Sequence, residues 1–100
     1  MIDWTVITGF EWDDGNTRKS ADKHSVSQAE AEQMFFNQPL LTLIDHLHSV
    51  DEIRIHALGH TDDGRSLHVT FTLRQDETKI RVISARDMSR KERAYYEQNT

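Results

Sequence analysis

The residues with most chemical potential are basic and lie on alternating positions. Ile53, Ile55 and Ala57 alternate with Arg54, His56 and Leu58; Leu67, Val69, Phe71 and Leu73 alternate with His68, Thr70, Thr72 and Arg74. Ile80 and Val82 alternate with Lys79 and Arg81. A period of two marks strands with one apolar and one polar face. Paired as their turns demand, these strands put Arg54, Thr72 and Arg81 in one row, flanked by His56, His68, Arg74 and Lys79. Like charges facing each other across a sheet cost stability. Such a face must be solvated, paired with carboxylates, or built to hold an anion. Arginine grips phosphate with two parallel bonds, so phosphates are the candidate polyanion. The competing reading is an exposed face neutralised by surface Asp and Glu.

The turns set this register. Asp62-Asp63-Gly64, with Gly64 in the left-handed region, is a favoured three-residue hairpin loop. It places His56 opposite Thr70 and Arg54 opposite Thr72; a slip of one residue would turn Ile55 away from the core. A second turn at Asp76-Glu77 pairs Leu73 with Ile80, Phe71 with Val82, Arg74 with Lys79 and Thr72 with Arg81.

The remaining elements frame these three strands. Asp3 to Glu11 reads as a first strand ending near Gly9. Asp13 to His24 reads as a polar helix with Asn16, Lys19 and Lys23 on one face. Val26 to Asn37 reads as a second helix, opened by a Ser27/Glu30 capping box and ended by Pro39. Ala31, Met34 and Phe35 form its buried stripe. Leu40 to Ile44 is a short apolar strand. Asp45 to Asp51 is a loop carrying His46 and His48, which could reach a metal but have no further ligand fixed nearby; a solvated loop is the competing reading. Ser89 and Glu92 make another capping box and open a final helix with Arg90, Lys91 and Arg93 at its start. Cations there oppose the helix dipole, which suggests a nearby anion or a solvated helix. Tyr95 and Tyr96 are expected to bury against the sheet, or else to stack on bases.

Composition narrows the function class. The chain of 100 residues is expected to form one domain, residues 1–100, with a modest core. It has no cysteine, which excludes a disulfide framework and a thiolate zinc site. No apolar run approaches the roughly 20 residues that span a bilayer, and no signal peptide opens the chain. A soluble, cytoplasmic protein is expected. The formal net charge is −5, which weighs mildly against a nucleic-acid binder. Arg54, Arg65, Arg74, Arg81 and Arg86 nonetheless lie in or beside the strands.

Several strings taken together carry a resemblance. Phe10-Glu11-Trp12-Asp13, Lys23-His24, Gly64-Arg65, and Ile83-Ser84-Ala85-Arg86 followed by Glu92 and Tyr96 closely resemble the BrnT family, toxins of type II toxin–antitoxin modules. The resemblance runs from Phe10 to Glu97. It implies an α+β fold of RelE-like type, with a small antiparallel β-sheet, two N-terminal helices and a C-terminal helix packed on it. It implies an endoribonuclease that arrests translation, uses no metal or other cofactor, and is neutralised by a BrnA-type ribbon-helix-helix antitoxin. Operator DNA would be reached only through that antitoxin, and no membrane is involved. Ser25 departs from the pattern: the family usually has Lys-His-Gly-Val, and Gly at that place suits a positive φ that Ser tolerates poorly.

For such a nuclease the chemistry needs a base for the RNA 2′-OH, an acid for the leaving oxygen, and cations for the charge growing on phosphate. His24 is the expected base or acid, with Lys23 and Glu11 as substitutes; histidine's pKa of about 6.5 suits either role. Arg54, Arg81 and Arg86 are the expected transition-state cations. Lys19, Arg74, Lys79, His56 and His68 are the expected RNA-binding residues, and Arg65, beside a turn, is expected to be structural. The alternative is a catalytically weak or inactive member that serves as an antitoxin-binding and co-repressor module.

Overall fold

A computed structural model describes residues 2–13 and 24–100. Its centre is a five-stranded sheet in the order β1-β5-β4-β3-β2. The strands are β1 (Gly9–Glu11), β2 (Leu41–Ile44), β3 (Ile55–His60), β4 (Ser66–Arg74) and β5 (Lys79–Asp87). Two α-helices accompany it among the described residues, α1 (Gln28–Gln33) and α2 (Arg90–Gln98). The expected helix at Asp13 to His24 lies almost wholly outside the described residues; within them one short α-helix, α1, precedes β2.

The two hairpins form in the registers read from alternation. His56 pairs with Thr70 in β3–β4. Thr72 pairs with Arg81, Leu73 with Ile80 and Arg74 with Lys79 in β4–β5. Gly64 takes φ +86°, and Thr61 and Arg65 close the three-residue loop with a backbone bond of 2.9 Å. The second turn differs from a simple two-residue loop. Gln75, Asp76 and Glu77 all take positive φ, and the Thr78 amide bonds back to the Arg74 carbonyl.

The expectation of an antiparallel sheet needs correction at its edge. β1 runs parallel to β5, pairing Phe10 with Ile80 and Glu11 with Arg81. The first strand is also shorter than expected: Trp4–Val6 is a 3-10 turn, capped by the Asp3 side chain on the Thr5 amide. Trp4 and Val6 gave the segment a strand-like look, yet the ladder begins only at Gly9.

One sheet face carries the main core. Ile55, Val69, Phe71, Ile80, Val82 and Ala85 are buried there beneath Val26, Ala31, Met34 and Phe35. Phe35 and Phe71 meet edge to face at 5.1 Å. The Ser27/Glu30 capping box starts α1, whose last turn tightens into the 3-10 segment Met34–Phe36. That tightening keeps Met34 and Phe35 buried and leaves Phe36 exposed.

The described residues cover part of the opposite face. The capping box at Ser89 and Glu92 forms and starts α2. This helix lies over the β3 end of the face, where Leu58, Met88 and Tyr96 make a second cluster. Tyr96 anchors it with a 2.5 Å bond to the Pro39 carbonyl, while Tyr95 remains exposed.

Candidate functional site

The polar sheet face holds the cations singled out above, and an irregularity in β5 decides which ones. Phe71 pairs with Val82 but Thr70 pairs with Ser84, so Ile83 is an extra residue, a β-bulge. Strict alternation would put Arg86, five positions after Arg81, on the core side. The bulge re-phases the strand, so Ala85 is buried in the core and Arg86 stands opposite His68 on the polar face.

Most of these arginines already have a carboxylate. Arg81 reaches Asp13 at 2.5 Å, Arg74 reaches Glu52 at 2.6 Å, and Arg86 grips both oxygens of Glu92 at 2.8 Å. Lys79 bonds the Thr8 hydroxyl at 2.9 Å. Glu11, beside Arg81, takes a bond from Gln75 at 2.6 Å. Arg54 lies one residue before β3 and is tied by its backbone, to Ser49 Oγ at 3.0 Å and to the Asp45 amide at 2.9 Å. Its guanidinium has no partner among the described residues, whereas the three others are neutralised as the competing reading of the sequence required.

Under α2 the chemistry is that of buried groups. His68 is enclosed, and burial, reinforced by the Arg86 charge, lowers its pKa to about 4. Its Nδ1 is buried without a hydrogen-bond partner, and Glu92 lies 3.6 Å from Nε2. Glu92 is held at a pKa of about 2 by the Arg86 fork, against some desolvation and with help from the Ser89 amide. Glu92 therefore serves twice, capping α2 and pinning Arg86. The His56 and His68 rings lie 4.8 Å apart at the wall of a cleft of about 290 Å³ between β3 and α2, closed by Leu43, Lys91 and Tyr95.

A second cluster was not read from the sequence. Asp45, one residue past the end of β2, is hydrogen-bonded to His48 Nδ1 at 2.8 Å and lies 3.1 Å from His56 Nε2. His56 Nδ1 lies 2.9 Å from the Thr70 hydroxyl. Desolvation works against the Asp45 charge, but the bonds from His48 and the nearby His48 and His56 rings outweigh it and hold the carboxyl below its usual range. The signal available was Asp45 three residues before His48, a spacing at which an aspartate can accept from a turn.

His24, the expected base or acid, lies elsewhere. Arg65 donates to the His24 and Ser25 carbonyls, to Glu30, and with two nitrogens to Asp87. Asp87 is six residues along β5 from Arg81, on the order of 20 Å at the strand rise. His24 is therefore not brought together with Arg54 or Arg81. Lys19 and Lys23 lie outside the described residues. Ser25 takes φ +55°, the left-handed conformation that a glycine would hold without strain. Among the described residues no three His, Asp or Glu side chains are arranged to hold a metal ion, and no helix is long and apolar enough to cross a membrane.

Comparison with known proteins places this arrangement. The family model of the ribonuclease toxin BrnT of type II toxin–antitoxin systems matches residues 12–92. The chain belongs to the BrnT toxin family. The matched span takes in β2 to β5 and the first turn of α2. The crystal structure of the Brucella abortus ribonuclease toxin BrnT shares the fold, with a TM-score of 0.58 over 83% of this chain and 99% of that one, at 19% sequence identity. No curated protein gave a significant match.

Proposed function

We propose that this BrnT family member is the toxin of a type II module and an endoribonuclease that cuts RNA without a metal and so halts translation. The observation carrying this reading is the cation-rich polar sheet face, where the Arg54 guanidinium has no partner among the described residues and Arg74 and Arg81 are each held by a partly exposed carboxylate. An RNA phosphate can displace such a carboxylate and take the same two-pronged contact. Arg54 and Arg81 are assigned to the charge growing on the phosphate, and Arg86 to shaping the α2 end of the face. Arg74, Lys79, His56 and His68 border the RNA path, and Lys19 and Lys23 are assigned to it on the family resemblance. His24 keeps its proposed proton-transfer role only if the RNA extends to the Arg65 end of the sheet. A RelE-like kinship fits a reaction run by cations and proton donors on a sheet face. The module's antitoxin is proposed to be of the BrnA type, a ribbon-helix-helix protein that carries the pair to operator DNA. The site of action is the cytoplasm.

A second reading has its own support. Three arginines of the face are ion-paired and the net charge is −5, as suits a weak or inactive member that binds antitoxin. Growth after induced expression of the chain alone separates the two. Arrest by wild type, with rescue by Arg54→Ala and Arg81→Ala at equal protein level, supports the nuclease. Harmless, soluble wild-type protein supports the binding module.

A further inference from the structure

We propose that His48 is the proton-transfer residue of the site, with Asp45 as its positioning residue and Arg54 as the phosphate contact; this deepens the ribonuclease reading and rests on it. The chain has six histidines, and their surroundings differ. His68 is buried and held neutral. His56 has both nitrogens engaged, one by Asp45 and one by Thr70. His60 faces the Tyr96 hydroxyl at 3.4 Å. His24 sits at the Arg65 end of the sheet. His46 has no hydrogen-bond partner among the described residues to orient it. His48 alone combines a carboxylate on Nδ1 with an open Nε2, on a side chain that is 66% exposed.

The hydrogen bonds around it are mutually consistent. His56 Nε2 lies 3.1 Å from Asp45 and its Nδ1 2.9 Å from the Thr70 hydroxyl, so both sides of that ring face a polar neighbour. Asp45 then holds the proton of His48 on Nδ1 and leaves the Nε2 lone pair outward. This is the arrangement in which a carboxylate fixes the tautomer of a general base and stabilises the imidazolium it becomes. Arg54 belongs to the same assembly. Its backbone closes the loop through Ser49 and Asp45, and it precedes His56 by two residues, about 7 Å along the strand direction. The other titratable groups of the same loop are His46, Asp51 and Glu52, of which Glu52 is paired with Arg74.

The step balances without a further reactant beyond water. His48 Nε2 takes the proton of an RNA 2′-OH, O2′ forms a bond to phosphorus, and the P–O5′ bond breaks. The electron pair leaves with O5′, which takes a proton from water. The hydroxide so formed is neutralised by the imidazolium. The products are a 2′,3′-cyclic phosphate and a free 5′-hydroxyl.

The full chain should be incubated with naked RNA and with a translating extract, the cut ends identified, and the rate followed against pH on whichever RNA is cleaved. Wild type is expected to leave cyclic phosphate ends, with a rate that rises through the histidine range. His48→Ala is expected to lose about 10²- to 10⁴-fold and the rising limb with it. Asp45→Asn is expected to lower kcat more than KM, because the ring loses the carboxylate that orients it. His46→Ala, an unpartnered neighbour, is expected to keep the wild-type rate. A His48→Ala protein that cuts at the wild-type rate, or cuts without cyclic ends from wild type, overturns the assignment while leaving the nuclease intact. Absence of cleavage by wild type on both substrates overturns the nuclease reading itself, and the assignment with it.

Discussion

Arg65 and Arg54 stand at opposite ends of the β3–β4 hairpin and have opposite surroundings. Arg65 is held by Asp87, Glu30 and two main-chain carbonyls, and these anions raise its pKa further above its already high ordinary value. Arg54 is fixed through its backbone, and its guanidinium has no partner among the described residues. One arginine closes the fold by tying the start of α1 to the end of β5. The other has the same charge and no structural duty. The difference teaches that charge alone does not mark a site in this chain; the number of bonds already made by a cation does.

The contrast is sharpest in substitutions. Arg54→Ala should cost the cleavage rate about 100-fold, the scale of losing one transition-state donor at about 3 kcal/mol. Stability should move by no more than about 0.5 kcal/mol, as at most surface positions. Growth arrest and thermal melting measured together check both halves, and a large loss of stability would break the comparison. Arg65→Ala should do the reverse. Losing several charge-assisted bonds in a half-exposed setting should cost about 2 kcal/mol in denaturant unfolding, with cleavage by the folded fraction unchanged.

The region under α2 adds a pH dependence of its own. His68 has a folded pKa of about 4 against an ordinary 6.5. The unfolded chain therefore binds more protons between those values, and stability is complete above pH 6.5 and drains as pH falls towards 4. Glu92, at about 2 against 4.5, extends the loss from pH 4.5 down to 2. Each group should contribute on the order of 1–2 kcal/mol, after allowing for its partial exposure. Unfolding curves of wild type and His68→Gln across this range test it: the substitution should flatten the upper half alone. The smallest expected effect is at Ser25. Ser25→Gly should add about 1 kcal/mol by relieving the left-handed backbone, and a loss instead would mean that the Ser side chain repays the strain.

Much of the fold was legible because its signals are local. Period-two alternation and one glycine at the right place are enough to register β3, β4 and β5, and Ser-x-x-Glu marks the starts of both helices. Pairing between distant segments left no such mark. β1 is three residues long, too short to show a period, and its parallel partner lies some seventy residues away. The ion pair from Arg81 to Asp13 is equally remote. The bulge at Ile83 carries neither Gly nor Pro, so simple counting places Arg86 on the wrong side of the sheet. In the candidate site, the basic row was readable from strand parity. Asp45 was not, because a loop aspartate gives no hint that β3 will deliver His56 to it.

The bulge also decides what kind of genetic change this chain can absorb. Ile83 has no residue opposite it in β4, so loss of its codon would set Ser84 directly after Val82 on the pairing already in place, with Ala85 still inward and Arg86 still opposite His68. Loss of a codon in the regular part of β5 would instead turn the side chains beyond it to the other face. Three-base deletions should therefore be found in functional descendants at the bulge and be absent from the rest of the strand.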